Sequence, residues 1–179
     1  MKTTPPRSFW SPLLFTVLGL GLAACEDAKS TLAQREVALS ERAAVARYGT
    51  AAASAGPAQE AWVQAARETQ RLTDPAAIGR QYREQVLPKL ATFRDALGAM
   101  PADTDALREA HGALSEAYGE LSRGMAALAE GLDSATYTAK RKAYRDVIAR
   151  FEAAQATYRE RIAAIYGAAG LEVLPLPPL

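Results

Sequence analysis

Leu107, His111, Leu114, Tyr118, Leu121, Met125, Leu128 and Leu132 follow one another at alternating steps of four and three. A helix turns once per ~3.6 residues, so that spacing lines these side chains along one seam, which must be buried against a second helix. Further along, Tyr137, Arg141, Tyr144, Ile148, Phe151, Gln155, Tyr158, Ile162 and Ile165 repeat the pattern. Gly131-Leu-Asp133-Ser separates the two runs and supplies a turn. Residues 103–131 and 134–168 are therefore expected to form an antiparallel helical hairpin.

Folding that hairpin about Asp133 pairs residues whose numbers add to 265 or 266. Leu107 then meets Tyr158, Leu114 meets Phe151, Tyr118 meets Ile148, and Leu121 meets Tyr144. His111 and Gln155 satisfy the same rule and are expected to face each other as a structural polar pair that fixes the register. Each would cost about 1–3 kcal/mol if buried alone. Beside the first seam runs a column of small residues, Ala110, Ala117, Gly124 and Gly131, which suits close approach of another backbone.

The rest of the chain also reads as helix, because no stretch alternates with period two and alanine supplies much of the apolar content. Thr31-Leu-Ala-Gln34 has the form of a capping box and opens a helix that Gly49 closes. Residues 49–57 read as a small-residue connection, and a second helix follows over 58–72, with Trp62, Val63 and Ala66 on its apolar side. Asp74-Pro75 begins the next helix, a capping side chain followed by a proline at the first helical position. That helix runs to about residue 99, with Ile78, Tyr82, Val86, Leu90, Phe93 and Leu97 on one face. Pro88 predicts a kink near residues 84–88. Asp103 and Asp105 are placed to cap the helix after the turn at 100–106. The expected fold is an all-α antiparallel bundle of four to five helices over residues 31–170, with 31–48 peripheral and a proline-rich tail over 171–179.

The formal charge of +1 gives no electrostatic case for nucleic acid as a partner. The N-terminus is more specific. Lys2 and Arg7 precede an apolar run of ten residues, LLFTVLGLGL, too short to span a bilayer comfortably. Leu22-Ala23-Ala24-Cys25 ends it, and Cys25 is the single cysteine of the chain. This segment resembles the signal sequence and lipobox of bacterial lipoproteins. The resemblance implies that residues 1–24 are a signal peptide cleaved between Ala24 and Cys25, with Cys25 diacylated through a thioether. Its freed amine would often be acylated too, with residues 25–30 a lipidated tether outside the cytoplasm. Several acyl chains anchor a protein stably, since each buried methylene contributes about 0.8 kcal/mol. Apart from that lipid, no cofactor is expected.

His111 is the only histidine, and Leu107, Leu114 and Ser115 occupy the neighbouring places on its face, so no metal site is expected there. Met100 and Met125 could join His111 as haem ligands in a bundle, but no C-x-x-C-H attachment motif is present. The basic run Lys140–Asp146 suits a solvated bundle end or, alternatively, contact with anionic headgroups or an acidic wall polymer. Tyr137, Tyr144, Tyr158, Tyr166 and Phe151 read as a core stripe in preference to a sugar platform. Pro175-Leu-Pro-Pro178 fits a P-x-x-P ligand. None of the common nucleophile, phosphate-loop or zinc motifs occurs, so no catalytic residues are assigned. The sequence favours a membrane-anchored binding or scaffolding module that meets envelope partners through helix faces. The alternative is a bundle holding a small apolar ligand or cofactor in its core, within a large internal pocket lined by Tyr118, Met125 and Phe151.

Overall fold

A computed structural model describes residues 17–172, with side chains from residue 30 onward. Its elements are α1 (Val17–Thr69), α2 (Pro75–Gln81), a π-helical segment (Tyr82–Val86), α3 (Leu87–Gly98), α4 (Asp105–Ala129) and α5 (Tyr137–Ala168). The fold is all-α, with no strand among the described residues. Two compact units divide the chain, Met1–Ser40 and Glu41–Leu179. In the first, side chains 30–40 are exposed, Leu32, Val37 and Leu39 included. In the second lies the hydrophobic core, which starts at Val45. Among the described residues, no helix is long and apolar enough to cross a membrane.

Two expected helix boundaries do not exist. The capping box at Thr31 opens nothing, because α1 already runs from Val17. The expected connection at 49–57 is helical throughout, and α1 continues to Thr69. Its residues suit a helix once their polar groups are accounted for. Thr50 Oγ1 donates back to the Ala46 carbonyl (3.1 Å) and Ser54 Oγ to that of Thr50 (3.0 Å), while the intervening alanines are strong helix formers. Gly49 marks a close approach, not a stop, for a Cβ there would run into the Tyr166 hydroxyl.

Asp74 caps α2 as expected, accepting from Ala76 N (3.3 Å) and Ala77 N (3.0 Å), with Pro75 in the first turn. The disturbance expected at 84–88 takes the form of a π turn, in which the Leu87 N–H bonds to the Tyr82 carbonyl. Pro88 has no N–H to give the carbonyl four residues earlier, and the widened turn sits where the ordinary ladder would fail. The predicted apolar face survives it. Ile78, Val86, Leu90, Phe93 and Leu97 are buried and Tyr82 is half-buried. The cap of α4 is Thr104, whose hydroxyl accepts from Leu107 N at 3.2 Å. Asp105 lies in the first turn of α4 as expected and also pairs with Arg108, while Asp103 pairs with Arg47 (2.7 Å).

The α4 seam is buried from Leu107 to Leu132, with only His111 half-buried. On α5 the seam is buried at Phe151, Gln155, Tyr158 and Ile162, but half-buried at Tyr137, Tyr144 and Ile148 and exposed at Arg141. The hairpin forms with a register about one turn away from the expected one. Glu109 pairs with Arg161 (2.9 Å) and Glu120 with Arg150 (3.8 Å), each partner four residues beyond the expected position. Likewise Phe151 stacks on Tyr118 at 4.9 Å, where Leu114 was expected to meet it. The turn explains the slip. Leu132 is buried with Ile78 and Leu128, which draws the loop across α2, and the positive φ of Gly131 (54°) permits the bend. Thr136 N and Oγ1 both bond to Asp133 Oδ1 (2.8 Å), and Lys140 Nζ reaches the Ala127 and Glu130 carbonyls at the end of α4. Gly131 is thus a turn residue and not part of a packing column. Gly124 keeps the expected role, since a Cβ there would lie 2.7 Å from a Val147 methyl.

Candidate functional site

Tyr118 stands mid-bundle with rings from three other helices edge-on around it: Phe93 and Phe151 at 4.9 Å and Trp62 at 6.2 Å. Such pairs contribute about 0.5–1.5 kcal/mol each beyond the area they bury. This aromatic plate separates two very different regions.

On one side a polar spine runs through the core. Tyr48 of α1 is almost fully buried, and its hydroxyl lies 3.0 Å from that of Tyr158 and 3.2 Å from His111 Nδ1. The Tyr48 and His111 rings meet edge-on at 5.8 Å, and His111 Nε2 lies 3.3 Å from Ser115 Oγ. Gln155 Nε2 donates to the Tyr118 hydroxyl at 3.2 Å. The expected His111–Gln155 pair is therefore not made. The one-turn slip moves the two apart, and each takes a tyrosine hydroxyl instead. Sequence reasoning missed Tyr48, which it placed at the end of a peripheral helix. Burial, with Tyr158 alongside, pushes the Tyr48 hydroxyl well above the usual phenol range, and burial raises Tyr118 to about 12. Burial also holds His111 below 6.5. All these groups are neutral near pH 7, and each has a hydrogen-bonding partner, so the spine is accounted for as a satisfied core network. The space beside it is a cavity of about 50 Å³ near Leu97, Met100, Leu114 and Gln155.

On the other side of the plate the bundle is open. A cleft of about 850 Å³ has Trp62, Val63, Leu121, Met125, Ile148 and Phe151 on its walls. An adjoining hollow of about 630 Å³ shares Gln70, Tyr82, Tyr144 and Ile148 with it. Arg67 and Arg71 line the first, Arg141 and Arg145 the second, and Glu152 is the one acid of the two linings. The Trp62 Nε1 donor is buried without an acceptor, a deficit of about 1–3 kcal/mol. Tyr82 and Tyr144 stack edge-on at 6.2 Å, and burial raises both hydroxyls.

The structure thus distributes the sequence candidates. Met100 lies by the small cavity, Met125 by the cleft, and His111 by neither. Among the described residues, no three His, Cys, Asp or Glu side chains are grouped to hold a metal ion. The basic run divides: Lys140 closes the end of α4, Arg141 covers the Tyr137 ring at 5.7 Å, and Arg145 faces the hollow. The tyrosine stripe is a core stripe at Tyr158 and Tyr166 and a cleft wall at Tyr144. α1 passes through residues 22–25, but the side chains of Leu22, Ala23, Ala24 and Cys25 lie outside the described residues, as do residues 1–16 and the Pro175–Pro178 motif. No protein-family model, no curated protein and no solved structure matches this chain.

Proposed function

We propose that the chain is a bacterial envelope lipoprotein, anchored outside the cytoplasm through acylated Cys25, whose bundle is a non-catalytic binding module working through the cleft. The anchor rests on the Leu22-Ala23-Ala24-Cys25 pattern at the end of a short apolar run. The binding role rests on one observation: an open, apolar-walled space of about 850 Å³ that the chain's own side chains leave unfilled. Specific ligand sites commonly occupy ~300–1,000 Å³. For the alternative, a small apolar ligand or cofactor held in the core, the space beside Tyr118 is about 50 Å³, while Met125 and Phe151 lie on the open cleft.

Metabolic labelling with a palmitate analogue tests the anchor. Label is expected on the wild-type chain and lost in Cys25→Ser, and label retained by that variant defeats the assignment. Cross-linking from a photoreactive residue at Ile148, in intact envelopes, tests the binding surface. Adducts are expected there and not from the exposed position Lys142; equal adducts at both remove the cleft from the reading.

A further inference from the structure

Resting on that reading of the cleft as the binding surface, we propose that its ligand is a single-chain anionic amphiphile. One long acyl chain would lie along Trp62, Met125, Ile148 and Phe151, with a carboxylate or phosphate head held by the surrounding arginines. The walls supply the first half of the argument. Leu121, Met125 and Phe151 are buried core residues that also border the cleft, so an apolar chain would extend the core instead of coating an outer surface. Met125 adds a flexible thioether, which adapts to a chain without fixed shape.

Charge supplies the second half. Four arginines border the two joined hollows against a single glutamate. Arg67 is 3.9 Å from Glu60, at the limit of an ion pair, and Arg141 is engaged by the Tyr137 ring and hydroxyl. Arg71 and Arg145 make no ion pair with any described residue. Guanidinium groups hold carboxylate and phosphate in the same forked geometry, which is why the head is named by its charge. A neutral or cationic amphiphile would leave the arginine excess uncompensated.

Trp62 also makes the site readable. The chain has two tryptophans, so in a full-length Trp10→Phe, Cys25→Ser protein Trp62 is the only one, and the thiol that would carry lipid is absent. Titration with 9,10-dibromostearate is expected to quench Trp62 saturably at one equivalent, below the concentration at which the probe aggregates. A brominated lysophosphatidate tests the phosphate head, and binding of one probe or both identifies which head the site takes. The methyl ester of dibromostearate is expected to bind about tenfold or more weaker, and Arg71→Glu/Arg145→Glu to lose a similar factor with unchanged helical circular dichroism. Absence of saturable quenching by either anionic probe overturns the proposal. So does quenching by the ester that equals that of the acid and ignores the arginine variants. If these fail while cross-linking at Ile148 persists, the ligand is wrong and the binding surface stands; if both fail, the cleft reading falls as well.

Discussion

The two sides of the Tyr118 plate share α1, α4 and α5, but α3 lines the first alone, where the space is about 50 Å³, and the cleft on the other side is about 850 Å³. On the closed side α1 offers Val45, Tyr48, Ala52 and Ala55: alanines let it come near, and one tyrosine fills the middle and bonds across to α4 and α5. On the open side α1 offers Trp62, then Ala66 and Thr69, and opposite them α5 presents the half-buried Tyr144 and Ile148 among arginines. The α4 seam is apolar on both sides apart from His111 on the closed one. What differs is what its neighbours bring, and a regular seam does not by itself decide whether a bundle fills.

The largest effect should come from the plate. Tyr118→Ala removes a ring that touches three others and should cost about 3–5 kcal/mol, against about 1 kcal/mol for Ile148→Ala on the cleft wall, both read by chemical denaturation. Equal costs would mean that the cleft is filled in solution. Next, Gly49→Ala should destabilise by about 1–3 kcal/mol through collision with Tyr166, and Tyr166→Phe should restore most of it. Gly56→Ala, seven residues on in the same helix with open space around it, should stabilise by about 0.5–1 kcal/mol; the opposite signs separate close approach from simple helix propensity.

Tyr48→Phe takes the shared hydroxyl from the closed side and should cost about 1–2 kcal/mol without changing cleft binding. The smallest effect is in pH. Burial lowers the His111 pKa below 6.5, so around that value the unfolded chain binds the proton more readily than the folded one. Stability should therefore be complete above pH 6.5 and decline as pH falls through and below it, toward the lower folded value. Thermal melts of wild type and His111→Gln compare the two, and a variant that keeps the same acid decline assigns it to other groups.

The sequence was most readable where large apolar residues carried the period. The α4 seam, the Asp74-Pro75 start and the irregular turn before Pro88 are all present. It misled where small residues carried the same information. Val45, Tyr48, Ala52, Ala55, Gln59, Trp62, Ala66 and Thr69 alternate by three and four, just as the α4 seam does, and every one is buried or half-buried. Glycine, serine and proline inside that run suggested a loop, although the spacing passed through them unbroken. The His111–Gln155 pairing failed for a different reason. Periodicity along two helices gives each its face but not their axial offset, which Leu132 and Gly131 set through the turn. The cleft was hidden because it depends on which positions stay unfilled once all the helices meet.

A rod coated in methyl groups is smooth, and sliding it one turn along its neighbours changes little in van der Waals terms. Tyr48 removes that freedom. One turn either way, its place opposite His111 and Tyr158 would be taken by Ala44 or Ala52, and His111 Nδ1 and the Tyr158 hydroxyl would both lose the phenol they bond to. A single phenol thus acts as a detent, giving one discrete resting position to a surface that shape alone would leave free to drift.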